Sequence, residues 1–145
     1  MVLVIAEQRG GTLNRATWET IAAAQQAGSS AAKVAVIGSG VDAVANELAA
    51  ADVAEVIVVD DPALAEYTAD GFVQAVQGLV ASEQPDLVFF PHTYQTRDFA
   101  PALAARLNRP LVTDCIAIRG GGQPVTYVRP VFQGKLQAEV VAEGP

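Results

Sequence analysis

At 145 residues the chain has the length of one ordinary domain, enough to bury about 70% of the surface that its unfolded form exposes. It is 51% hydrophobic and only 17% charged, a composition that argues against disorder. Sixteen acidic residues against nine basic ones give a net charge of −7, and no Lys/Arg cluster relieves it, which argues against a nucleic-acid or anionic-membrane surface.

In chain order, Val2-Leu3-Val4-Ile5-Ala6 is a continuous apolar run, the pattern of a strand buried on both faces of a parallel sheet. Gly10-Gly11 marks a turn, and Asn14 is placed to cap the helix that follows. Leu13, Ala16, Ile21 and Ala24 give that helix its buried stripe, and Gly28 ends it. Lys33 to Ile37 reads as a second strand. Val41, Val44, Ala45, Leu48 and Ala49 recur at helical spacing, and Glu55 to Val59 makes a third strand closed by Asp60-Asp61-Pro62. The clearest helical period belongs to Phe72, Val73, Val76, Leu79 and Val80. Leu87 to Phe90 is a fourth strand, and Phe99, Ala100, Leu103, Ala104 and Leu107 line a fourth helix that Asn108 and Pro110 end.

Such alternation demands right-handed crossovers and a parallel sheet with helices on both faces. The expected fold is therefore α/β, a three-layer αβα domain of a Rossmann-like kind spanning residues 1–145. From Leu111 onward the segments are strand-like: Val112 to Ile118, Val125 to Arg129 and Leu136 to Val141. The stretches Gly120 to Pro124 and Gln133-Gly134 punctuate them as hairpin turns. These antiparallel strands are expected to extend or cross the edge of the parallel sheet.

The apolar runs are strand-sized, so neither a membrane-spanning helix nor a secretory signal is expected. Cys115 is the single cysteine and His92 the single histidine, which rules out an intramolecular disulfide and a Cys/His zinc site, and no metal is expected. A thiol nucleophile paired with His92 is conceivable, but the apolar setting of Cys115 predicts a buried, inert side chain. No catalytic constellation emerges.

Gly38-Ser39-Gly40-Val41-Asp42-Ala43 follows a strand and opens a helix in the pattern G-x-G-x-x-A, with Asp60 at the end of the next strand. In a dinucleotide-binding domain that spacing sets pyrophosphate on the helix N-terminus and the acid on a ribose. The same glycines also suit a plain strand-to-helix turn. The motif follows the second strand rather than the first, and no second nucleotide-binding half comes after it.

The loop His92-Thr93-Tyr94-Gln95-Thr96-Arg97-Asp98 lies at the carboxyl end of the fourth strand, where open parallel sheets gather ligands. Asp98 suits the N-cap of a helix starting at Phe99, leaving Pro101 in the first turn. Thr93, Thr96, Arg97 and Asp98 are the candidate binding residues: Thr93 and Thr96 could cradle an anion and Arg97 clamp it, or Arg97 could simply pair with Asp98.

The run His92 to Leu107, with its core Thr96-Arg97-Asp98-Phe99-Ala100-Pro101-Ala102-Leu103-Ala104, followed by Pro110-Leu111-Val112-Thr113-Asp114, resembles the α subunit of electron transfer flavoproteins. The likeness extends to Val2-Leu3-Val4-Ile5-Ala6-Glu7, to Leu13-Asn14 and to Arg129-Pro130-Val131-Phe132 with Gly134, covering nearly the whole chain in order. Departures are Gln133 and Lys135 around Gly134, where Ala-Gly-Asn is commoner, and Cys115 in place of a small aliphatic residue.

The resemblance implies a fold like the adenine nucleotide α-hydrolases and an N-terminal domain that does no chemistry. Its implied partner is the β subunit of a heterodimer. FAD would belong to a C-terminal domain lying beyond the residues at hand, with no cofactor expected on this chain. The complete protein would carry electrons from acyl-CoA-type dehydrogenases of fatty acid β-oxidation to a membrane acceptor. The lack of a targeting segment implies the cytoplasm, or the mitochondrial matrix if a transit peptide has been removed. The alternative is a stand-alone adenine-nucleotide-binding module using the loop after the fourth strand or Gly38 to Ala43.

Overall fold

The computed structural model describes residues 1–28, 31–119 and 124–143. Its elements in chain order are β1 (Val2–Ala6), β2 (Gln8–Arg9), β3 (Thr12–Leu13), α1 (Ala16–Ala27), β4 (Lys33–Gly38), α2 (Asp42–Leu48) and β5 (Glu55–Asp60). A single 3-10 turn (Pro62–Leu64) precedes α3 (Ala69–Glu83), β6 (Leu87–Phe89) and α4 (Tyr94–Leu107), and β7 (Ala117–Arg119), β8 (Thr126–Val131) and β9 (Leu136–Val141) complete the chain.

Every residue of β1 is buried, as a continuous apolar strand at the centre of a covered sheet requires. It pairs in parallel with β4 on one side and β6 on the other, and β5 adds outside β4, giving the order β5-β4-β1-β6. Alternation along the strands divides the core into two layers. Val2, Val4, Ala6, Val34 and Val36 meet Ile21 and Ala24 of α1 and Val44 and Leu48 of α2. Leu3, Ile5, Ala35 and Ile37 meet Phe72, Val73 and Val76 of α3 and Phe99 and Leu103 of α4. The fold is thus a three-layer α/β sandwich, with α1 and α2 on one face and α3 and α4 on the other. Each fully buried aliphatic side chain contributes about 1.5–3 kcal/mol, so these two layers hold most of the stability.

The antiparallel strands form a separate sheet of order β7-β8-β9 rather than an extension of the parallel one. It leans on the body through Phe89 and Tyr127, whose rings meet edge-on with centroids 6.5 Å apart. The expected strand from Val112 shrinks to Ala117–Arg119, because Asp114 turns the chain with a φ of +56°. Cys115 follows that turn and is exposed, contrary to the buried thiol its apolar neighbours imply. Its sulfur is nonetheless sheltered enough for burial to push its pKa up. The expected turn at residues 120–123 lies outside the described residues.

The clearest departure concerns α4. Its N-cap is Thr93, whose hydroxyl accepts from the Thr96 amide, so the helix begins at Tyr94 and not at Phe99. Asp98 consequently lies inside the helix, and Pro101 occupies its interior. There Pro101 removes the amide that would bond the Arg97 carbonyl, a cost that local reading avoids by starting the helix later. Burial of Phe99, Ala100 and Leu103 on the sheet outweighs it. The far end of the helix is as expected: Asn108 caps it in the left-handed region at φ +51°.

Candidate functional site

In the order β5-β4-β1-β6 the chain steps outward from β1 through β4 to β5, then returns to place β6 on the other side of β1. The switch point of this doubly wound sheet lies between the carboxyl ends of β1 and β6, where such folds open a ligand crevice. Glu7 follows β1 and Thr93 follows β6, so the two loops that would frame a ligand face each other.

They are bonded together. The Thr93 hydroxyl donates to Glu7 Oε1 at 2.5 Å, and Asn14 Nδ2 donates to Glu7 Oε2 at 2.9 Å. The Glu7 backbone is held as firmly: its amide donates to Thr17 Oγ1 at 3.2 Å, and its carbonyl accepts from the Asn14 amide at 2.8 Å. Between Glu7 and Asn14 the chain makes the β2–β3 hairpin, closed by Gly10 and Gly11 at φ +57° and +80°, a two-residue turn that non-glycine residues adopt poorly. Asn14 also accepts from the Ala16 amide at 2.9 Å, but it stands one residue before the N-cap of α1, which is Arg15 and makes no side-chain cap bond, so the expected cap lies one position too early.

What remains of the crevice is a cavity of about 10 Å³ between Ile5, Glu7, Phe72, Phe90, Thr96 and Phe99. That is room for about one water, whereas small-molecule sites enclose about 300–1,000 Å³. A phosphate group would also meet the Glu7 carboxylate.

The four candidate residues divide accordingly. Thr93 and Thr96 are together at the helix start, with Thr93 bonded to Glu7. Arg97 points elsewhere, its guanidinium lying 5.7 Å from the centre of the exposed Tyr94 ring. It neither clamps the helix start nor pairs with Asp98, which accepts from the Tyr67 hydroxyl at 2.7 Å. Tyr67 sits over the aromatic group of Phe72 and Phe99, with ring centroids 5.0 and 6.4 Å away. Burial first, and then the Asp98 carboxylate, raise the pKa of its hydroxyl well above the ordinary tyrosine value. His92 lies 3.6 Å from Asp114, both half-exposed.

In the sequence Glu7 stands out only as part of the opening stretch that resembles the family, and Tyr67 not at all. An acidic residue directly after the central strand, at the carboxyl edge of the sheet, is the signal that could have singled out Glu7.

The glycine motif is closed in the same manner. Asp60 accepts from the Gly40 amide at 3.0 Å with both oxygens and from the Val41 amide at 3.4 Å. The carboxylate that the fingerprint would set on a ribose occupies the amides meant for pyrophosphate. Gly38 has a packing reason of its own, since a Cβ there would lie 2.5 Å from Gln8 Nε2 and 2.7 Å from Val41 Cγ1. Neither place fits a dinucleotide such as FAD. Among the described residues no three His, Cys, Asp or Glu side chains group to hold a metal, and no helix is long and apolar enough to cross a membrane.

Fold and site together define a doubly wound α/β domain whose ligand crevice is bridged by its own side chains. The electron transfer flavoprotein domain profile matches residues 2–145, and the chain belongs to that family. It is 37% identical over 145 residues to electron transfer flavoprotein subunit alpha of Bacillus subtilis, covering 99% of this chain and 45% of that protein. It is 33% identical over 141 residues to the subunit alpha of Syntrophomonas wolfei, covering 97% of this chain and 44% of that one. Acryloyl-CoA reductase electron transfer subunit beta of Anaerotignum propionicum is 33% identical over 118 residues, 79% of this chain and 32% of its own length. The chain thus spans less than half the length of these curated relatives.

Proposed function

We propose that residues 1–145 act as one non-catalytic scaffold domain of an electron transfer flavoprotein alpha subunit, pairing with a beta subunit in the cytoplasm of a bacterium. Flavin is held by parts of the longer protein outside this stretch. The assembled flavoprotein carries electrons from acyl-CoA-type dehydrogenases to a membrane acceptor. The similarity to subunits named alpha along the whole chain supports this reading, and so does the acyl-CoA reductase in the name of a further relative. The observation that carries most weight is the Glu7–Thr93 bridge, which takes up the switch-point crevice where a doubly wound domain would otherwise bind its cofactor. In this reading Thr93, Thr96 and Asp98 serve the helix and its neighbours, and Arg97 is a surface residue.

Mixing the purified chain with its beta subunit and measuring association by size-exclusion chromatography and calorimetry tests the proposal. A stable complex is expected, with no flavin absorbance from this chain alone. Failure to associate, or stoichiometric flavin on the isolated chain, would overturn it.

A further inference from the structure

We draw no further inference here: the strongest candidate, the surface patch at the start of α4 where Tyr94 is 88% exposed with the Arg97 guanidinium 5.7 Å from its ring centre, is an unpartnered face, and nothing in the structure shows what covers it.

Discussion

Glu7 and Thr93 stand 86 positions apart in sequence and share a 2.5 Å hydrogen bond across the carboxyl ends of β1 and β6. Thr93 serves two structures at once, since the same hydroxyl accepts from the Thr96 amide and caps α4. Thr93→Ala is therefore expected to lower stability by about 2–3 kcal/mol, combining a lost cap with a lost charge-assisted bond. Thr93→Ser keeps the hydroxyl and should cost less than about 1 kcal/mol. In a double-mutant cycle with Glu7→Ala, urea unfolding should reveal a coupling of about 1–2 kcal/mol. Additivity would mean that the bond contributes nothing in solution.

Neighbouring residues in α4 should behave very differently. Asp98→Ala removes the acceptor of the Tyr67 hydroxyl and is expected to destabilise by about 1–1.5 kcal/mol. Arg97→Ala loses only an exposed contact with Tyr94 and should stay within about 0.5 kcal/mol. Thermal melts of the two variants distinguish them; equal losses would contradict the roles the structure gives them.

Asp60 holds the turn into α2 through the Gly40 and Val41 amides. Asp60→Ala is expected to cost about 1–2 kcal/mol, and Asp60→Asn less, because the amide oxygen can still accept. NAD or AMP should raise the melting temperature of neither the parent nor these variants. A concentration-dependent rise in the parent would be the mark of a ligand bound to the folded state and would restore the nucleotide reading.

Stability should fall at alkaline pH. Hydrogen bonds to Glu55 and then Glu83 raise the Lys33 ammonium to about 12, and burial with Asp98 raises Tyr67. In both cases the folded chain holds its proton more tightly than the unfolded one. Their contribution is therefore complete below the ordinary values of 10.5 and 10.0, and drains away as pH rises through the folded ones. Unfolding midpoints measured from pH 8 upward should be level at first and then decline above about pH 10. Tyr67→Phe should decline less steeply; an identical slope would remove Tyr67 from the account.

Much of the architecture is legible in the residues, and the rest is hidden for identifiable reasons. The unbroken apolar run of Val2 to Ala6 and the period of Phe72, Val73, Val76 and Leu79 are strong because burial on two faces, or along one stripe, leaves few alternatives. The start of α4 is ambiguous locally: Thr93 and Asp98 are both capable caps, and Pro101 favours the later one. Only the packing of α4 on the sheet decides between them. The β2–β3 hairpin has strands of two residues, too short for any alternation, although Gly10-Gly11 marks its turn. Glu7 has no local signal for its partner, because the contact is made only when the crossovers bring β6 beside β1.

The two attachments of Glu7 differ in how early a folding chain can make them. Asn14 and Thr17 lie a few residues away and close a short loop, so those bonds can form while most of the molecule is still unstructured. Thr93 becomes available only after three crossovers have been completed, and its bond should form after the rate-limiting step. Weakening the near attachments should then slow refolding, whereas weakening the far one should mainly hasten unfolding. The bridge across the crevice would thus act as a late latch, setting how long the native state survives more than how quickly it is reached.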